Sequence, residues 1–169
     1  EATITDERAA DLFREACGVN IDCEVLSHMG WTAGHSLVAD HFISDRVIIG
    51  GDAAHLFTPA GGLGYNTAVE DAVNLGWKLA AVLKGQGGRG LIESYEFERQ
   101  KVALRNTSYA RGFADSVGNF VPKDNLEDNT ENGELLRTAA GEYLVEHAKR
   151  EFNIPGITFG ARYDGSPVL

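Results

Sequence analysis

The sequence is poor in cysteine and basic residues and has no long apolar stretch. Cys17 and Cys23 are its two cysteines, which excludes a disulfide scaffold and favours a reduced, cytoplasmic environment. No apolar run approaches the roughly 18 residues that indicate a membrane span, so we expect no membrane partner. Basic residues number 15 against 25 acidic ones, and the net charge of -10 disfavours nucleic acid as a partner.

Glycine, by contrast, is abundant. It accounts for 20 of the 169 residues and is concentrated in two stretches, 50–64 and 85–90. A content of 43% hydrophobic and 24% charged residues is ordinary for a globular chain, and the length allows one domain or slightly more. Because the chain starts at Glu1 and reaches Leu169 without a polar tail, we expect it to be part of a longer protein.

Runs rich in β-branched and aromatic residues predict strands before the first glycine-rich stretch. The segment 23–31 partly alternates and is predicted to be a strand, with 35–42 extending it or pairing with it. The run 47–49 is short, apolar and bounded by turn residues, which predicts a buried strand.

Apolar residues at helical spacing predict four helices. Thr5 is the expected N-cap of the first, and Gly18 its stop. Thr67 and Glu70 have the spacing of a capping box at the start of the clearest helix, and Gly85 ends it. The predicted ranges are 5–17, 67–84, 91 to about 117, and 134–152, with an acidic surface loop over 121–133.

The first glycine-rich stretch combines three features that indicate a ligand site. Asp52 follows the predicted buried strand 47–49, and open α/β sheets bind ligands at the carboxyl ends of their strands. The next helix starts just after a run of glycines, so its free N–H groups and dipole favour a negative charge. An ionised Asp accepts hydrogen bonds and suits hydroxyls. Polyol hydroxyls and an electron-rich ring edge together describe a flavin.

The second stretch, Gly85 to Gly90, matches the pattern GxGxxG literally. It follows a helix, whereas a pyrophosphate-binding loop follows a strand. We therefore predict a flexible connection between two helices.

A dense pattern of residues runs through 46–103. Its members are Gly51–His55, Thr58–Thr67, Glu70–Ala72, Asn74–Leu75, Trp77–Ala80, Leu91–Glu96, Glu98–Arg99 and Val102–Ala103. This pattern resembles the second FAD-binding segment of flavin-dependent aromatic hydroxylases, the single-component monooxygenases of the para-hydroxybenzoate and phenol hydroxylase type. The resemblance is dense over 46–103 and looser over the flanks.

The resemblance implies a set of cofactor-binding residues. Asp52 would hold the ribityl hydroxyls of FAD, and Pro59 would lie near the reactive edge of the flavin. Backbone N–H groups around Tyr65 and Asn66 would face its N1 and O2 edge, where reduced flavin is anionic. The full set is Gly51, Asp52, Pro59, Gly61, Gly62, Leu63, Gly64, Tyr65 and Asn66.

The resemblance also implies an activity for the whole protein. NADPH or NADH would reduce the FAD, and O2 would then hydroxylate a small aromatic, phenolic substrate. A homodimer is a possible assembly of the whole protein. The sequence identifies no catalytic residue and no metal site.

The implied fold class is α/β. This chain would be the helix-rich C-terminal part of a Rossmann-like FAD-binding fold, incomplete without N-terminal segments, because the family's first GxGxxG motif after a strand is absent. Residues 1–44 would be the end of the middle or substrate domain and 45–118 the second FAD-binding segment with two long helices. An acidic loop, a helix and a C-terminal linker would occupy 119–169. Alone, such a fragment is expected to be inactive.

Several alternatives remain beside this interpretation. Asp52 on its own is also a typical turn residue. His55 is more simply explained as a hydrogen-bonded structural histidine than by a direct role, and Trp31 is either a packing residue or a neighbour of a substrate pocket. Asp52 and His55 with Asp40 and His41 lack the spacing of metal ligands. The same scaffold would also serve an epoxidase, halogenase or reductase, or a cofactor-free interaction module.

Overall fold

The computed structural model describes residues 4–30 and 34–168, with the side chains of 117 and 118 left aside. It divides into two compact units, Glu1–Ala33 and Gly34–Leu169. The two units are defined by compactness alone. The predicted boundary between functional segments, between residues 44 and 45, stays a prediction. Within the described ranges, no helix is both long enough and apolar enough to cross a membrane.

The first unit contains one helix, α1 (Asp6–Cys17). The Thr5 hydroxyl accepts a hydrogen bond from the Arg8 N–H at 3.2 Å, and Gly18 ends the helix at φ 67°, as predicted. The predicted strand over 23–31 is wrong for residues 23–30, which adopt no regular structure, while Trp31 lies outside the described residues. Leu26 and Met29 are almost fully exposed. An isolated strand cannot satisfy its backbone groups, which explains why alternation alone formed none.

The second unit begins with two small antiparallel pairs of strands. β1 (Leu37–Val38) pairs with β4 (His55–Leu56), and β2 (Ile43–Ser44) pairs with β3 (Val47–Ile48). The predicted strand at 47–49 therefore exists, but its predicted burial is wrong for Val47, which is 65% exposed. The described part of the chain supplies one neighbouring strand to β3, so the other edge of β3 is unpaired there.

Four helices follow, and three of them are long. These are α2 (Leu63–Leu83), α3 (Arg89–Gly118), α4 (Glu131–Phe152) and α5 (Pro155–Thr158). The predicted cap of α2 is wrong, because the helix starts four residues before Thr67. The Thr67 hydroxyl instead donates to the Leu63 carbonyl inside the helix. The glycine-rich run 85–90 lies between α2 and α3, as predicted, but the connection itself is 84–88, because Arg89 and Gly90 already belong to α3.

The core lies where α2 and α3 pack on each other and on the strands. Phe42, Ala54, Tyr95 and Ala103 form its buried apolar cluster. The Tyr95 hydroxyl donates to the Ile49 carbonyl at 2.9 Å, which fixes the end of the strand region to α3.

Two buried groups of charged side chains also join α2 to α3. The first, here called the Asp71 cluster, consists of His55, Asp71 and Arg99. The second, the Lys78 cluster, consists of Asn74, Lys78, Ser94 and Glu98. Asp71 and Lys78 are seven residues apart on α2 and so lie on the same face of the helix.

The C-terminal segment is attached to α3 by polar contacts. Arg99 donates to the Tyr163 hydroxyl at 3.0 Å, and the Ser166 hydroxyl donates to Glu98 at 2.7 Å. Arg105 donates to three carbonyls, those of Gly156, Ile157 and Gly160. The segment thus covers the outer side of both buried clusters.

The buried carboxylates predict acid sensitivity. Burial alone would raise the pKa of Glu98, but hydrogen bonds from Lys78, Asn74 and Ser166 outweigh it and leave the pKa lowered. A carboxylate with a lowered folded-state pKa stabilises the fold above about pH 4, and this contribution disappears as the pH falls through the folded-state value. We expect the free energy of unfolding to fall below pH 4 and this fall to be shallower in Glu98→Gln.

Chemical denaturation at pH 7, 4 and 3 measures this effect. Glu98→Gln should also be less stable at pH 7, by about 3 kcal/mol, because Lys78 loses its buried anion. Glu127→Gln, at an exposed position, is the control and should keep the wild-type profile. A Glu98→Gln protein with the wild-type dependence on pH would contradict this prediction.

Candidate functional site

Asp52 lies in a tight turn that follows β3. The turn, Gly51–Ala53, is a single 3-10 turn, and Gly51 has φ 57°, a conformation that favours glycine. A Cβ at Gly51 would lie 3.2 Å from the Ala68 Cβ, so the turn also sits close to α2. The turn leaves the Asp52 side chain exposed, with its carboxylate open to a ligand.

The N-terminus of α2 faces open space. Gly61 and Gly62 both have left-handed backbones, with φ 78° and 63°, and Gly62 is the residue before the helix. No side chain caps this end in the part of the chain that is described, and a Cβ at Gly62 would meet nothing within 4 Å. A 3-10 turn, Ala60–Gly62, runs directly into α2. Those N–H groups in the first turn of α2 that have no partner within these helices are donors for an anionic or electron-rich group.

One cleft of about 450 Å³ joins the Asp52 turn to the start of α2. Its lining also includes residues that the sequence did not single out as cofactor ligands: Gly34, His35, Leu56, Phe57 and Thr58. Six of the nine predicted cofactor residues line it: Asp52, Pro59, Gly62, Leu63, Gly64 and Tyr65. The predicted carboxylate and helix N-terminus thus share one cavity.

The other three predicted residues lie elsewhere. Gly61 and Asn66 line a second cavity of about 370 Å³. Leu63 lines both this cavity and the cleft. Gly51 lines a third, of about 300 Å³, together with Asp71. The Asn66 side-chain amide donates a hydrogen bond to the Gly62 carbonyl at 2.7 Å, which stabilises the glycine loop. These three residues do not line the cleft, and direct cofactor contact by them stays a prediction.

The chemistry of the cleft fits a flat ring with polar edges and a polyol chain. Its walls are largely apolar and include Phe57, Pro59 and the exposed Tyr65. Its polar groups include the Asp52 carboxylate, the His35 imidazole, the helix donors and the Thr58 hydroxyl. That hydroxyl oxygen is buried, and none of the described residues gives it a hydrogen-bond partner.

The sequence did not predict His35 and Phe57 as part of the cleft, because the pairing of two very short strands brings them there. β1 and β4 have two residues each, and Leu37 lies opposite Leu56. That pairing brings Gly34 and His35 beside Phe57, where a Cβ on Gly34 would lie 2.6 Å from the Phe57 carbonyl oxygen. Two-residue strands carry no recognisable alternation of apolar and polar residues. The family resemblance that begins at Thr58 was therefore the one sequence signal near this side of the cleft.

His55 is a buried residue beneath the cleft. Its side chain is fully enclosed, and its Nε2 lies 2.6 Å from the Asp71 Oδ2. The Phe57 ring meets it edge-on at 5.3 Å between centroids. Its arrangement is that of a hydrogen-bonded structural histidine. Across residues 4–30 and 34–168, no group of three His, Cys, Asp or Glu side chains could hold a metal ion.

The sequence matches the family model described as FAD binding domain over residues 1–110. Phenol 2-monooxygenase from Pseudomonas sp. (strain EST1001) is 32% identical over 98% of this chain, which spans 30% of that relative. A putative polyketide hydroxylase from Streptomyces halstedii is 41% identical over 81% of this chain, which spans 25% of that relative.

Solved structures give the same picture. The rebeccamycin biosynthetic enzyme RebC with reduced flavin superposes on 98% of this chain with a TM-score of 0.80 and 40% identity. The flavin-dependent monooxygenase PieE in complex with FAD and substrate covers all of this chain with a TM-score of 0.72 and 29% identity. The chain spans about a third of either structure, at 32% and 33%. The predicted fold, the helix-rich part of an FAD-binding fold, is confirmed.

Two glycines, Gly62 just before α2 and Gly76 within it, are expected to affect stability in opposite ways when replaced by alanine. Gly62→Ala forces a left-handed alanine and should destabilise the chain by about 1 kcal/mol. Gly76→Ala lies in the middle of α2, where a Cβ meets nothing within 4 Å, and should stabilise it by about 0.5–1 kcal/mol. Thermal unfolding of the two variants measures this. Equal shifts in the same direction would contradict the left-handed start of α2.

Proposed function

Because the chain belongs to the FAD binding domain family, we propose that it forms the second FAD-binding segment of a longer flavin-dependent monooxygenase. The observation that carries the proposal is the cleft, in which the exposed Asp52 carboxylate and the uncapped N-terminus of α2 line one cavity. The chain spans about a quarter to a third of the relatives and structures compared with it. Activity and substrate are therefore proposed for the intact protein.

In this cleft each group has a distinct task. The Asp52 carboxylate accepts hydrogen bonds from the ribityl hydroxyls of FAD. Backbone N–H groups near Tyr65 donate to the electron-rich edge of the flavin ring, where the dipole of α2 favours negative charge. Pro59 and Leu63 keep water from the ring. Bound FAD would supply the redox chemistry, with NADH or NADPH as the source of electrons and O2 as the oxidant.

The proposed substrate is a small phenolic or polyketide-like ring. Support comes from the names of the relatives, phenol 2-monooxygenase and putative polyketide hydroxylase. The proposal also includes a cytoplasmic location, which the scarcity of cysteine supports, and it leaves a homodimer open. The reaction adds one oxygen atom of O2 to the ring and reduces the other to water with two electrons from the pyridine nucleotide.

The exposed face of α2 supports the idea that further protein packs on this segment. Val69, Val73 and Trp77 are spaced four residues apart on α2 and are 44%, 66% and 53% exposed. Large apolar side chains aligned on one helix face usually meet a partner. We therefore expect the 169-residue chain alone to bind FAD weakly and to show no oxidation of NADH or NADPH.

Substitution of Asp52 in the intact protein tests the proposal. Asp52→Ala removes a charged acceptor, which contributes about 1.5–3 kcal/mol, so FAD should bind roughly ten- to a hundredfold more weakly. Asp52→Asn keeps one acceptor oxygen and should lose less. Titration of the apoprotein with FAD, followed by flavin fluorescence, gives the dissociation constants.

Gly90→Ala is the control, because it changes the second glycine-rich stretch at a position where a Cβ meets nothing within 4 Å. It should leave FAD affinity unchanged. Wild-type affinity in Asp52→Ala would overturn the assignment of Asp52, and an intact protein that takes up no FAD would favour a cofactor-free interaction module.

A further inference from the structure

The Asp71 carboxylate connects the Asp52 turn to both long helices. Its Oδ2 accepts hydrogen bonds from the Gly51 backbone N–H at 3.0 Å and from His55 at 2.6 Å. Its Oδ1 accepts a hydrogen bond from the Arg99 Nε at 2.7 Å. Asp71 belongs to α2, Arg99 to α3, and Gly51 directly precedes Asp52. A single buried side chain therefore holds the turn against the helix whose N-terminus completes the cleft.

Arg99 and His55 make this carboxylate a fixed point. Besides Asp71, the Arg99 guanidinium donates to the Thr67 carbonyl at 3.3 Å, to Glu70 at 2.9 Å and to the Tyr163 hydroxyl at 3.0 Å. Among the residues described, the buried His55 Nδ1 has no partner, so the polar contact of the ring is the one to Asp71. Burial would raise the pKa of Asp71, but the hydrogen bonds from His55, Arg99 and Gly51 outweigh it and leave the pKa lowered.

We propose that Asp71 is a positioning residue for the cofactor: it acts through the Gly51 N–H to set the Asp52 carboxylate relative to the N-terminus of α2. This inference rests on the proposed function, because it assumes that FAD occupies the cleft. Gly51 has a left-handed backbone and no side chain of its own to lock the turn. The hydrogen bond to Asp71 supplies that restraint.

The Lys78 cluster offers a matched control for loss of stability. It also joins α2 to α3 through a buried ion pair, with Lys78 and Glu98 2.6 Å apart. It lies seven residues further along α2, about 10 Å from Asp71 along the helix axis. In the described ranges, its hydrogen bonds do not reach the Gly51–Ala53 turn. A purely structural role would make the two clusters equivalent in their effect on FAD.

The experiment measures FAD affinity and thermal unfolding of the intact apoprotein for Asp71→Asn, Glu98→Gln, Asp52→Ala and the double variant of Asp71→Asn with Asp52→Ala. Both cluster variants should unfold at lower temperature. Asp71→Asn should weaken FAD binding roughly tenfold or more, whereas Glu98→Gln should change it less than about twofold. Because Asp71 acts through Asp52, the double variant should bind FAD about as weakly as Asp52→Ala alone.

The outcomes distinguish the positioning role of Asp71 from the FAD site itself. Additive losses in the double variant, or equal losses in Asp71→Asn and Glu98→Gln, would overturn the positioning role while leaving the FAD site in place. Wild-type affinity in Asp52→Ala would instead overturn the proposed site. If Asp71→Asn does not fold, Arg99→Lys replaces it, since the shorter donor leaves the carboxylate charged but less firmly held. The same non-additivity with Asp52→Ala is then expected, and additivity would contradict the proposal.

Discussion

The packing of α2 on α3 depends on charged groups buried between them. Asp71 with Arg99 and Lys78 with Glu98 are almost completely enclosed, and each pair has additional hydrogen-bond partners. Removing one partner of a buried ion pair is strongly destabilising, so these clusters favour the packing of α2 on α3 in which each charge meets its partner. One of them also holds the backbone of the turn that carries Asp52. The geometry of the cleft is therefore a consequence of how the helices pack.

This arrangement explains how a site can form at the edge of such small strands. The strands β1 to β4 have two residues each and cannot by themselves fix a turn. The restraint comes instead from side chains of α2 and α3, including the Tyr95 hydroxyl at the Ile49 carbonyl. The donors at the start of α2 and the Asp52 carboxylate then lie on one cavity, where hydroxyls and an electron-rich ring edge can bind together.

Local signals in the sequence predicted the parts of the fold that are decided locally. Thr5 and Gly18 bound α1 as expected, because a cap depends on residues within a single turn of helix. The start of α2 was misplaced, since two left-handed glycines allow the helix to begin before Thr67. The strand expected over 23–31 needed a partner that alternation cannot reveal. Likewise, His35 joins the cleft through strand pairing, and no residue pattern encodes that.

Hydrogen–deuterium exchange of the intact protein tests whether FAD lies between the Asp52 turn and the N-terminus of α2. Exchange of backbone amides is compared with and without FAD. We predict slower exchange in peptides that cover 51–66, where the turn and the free N–H groups of α2 lie, and unchanged exchange at 85–90. Slower exchange elsewhere in the protein, with exchange at 51–66 unchanged, would contradict this position of FAD.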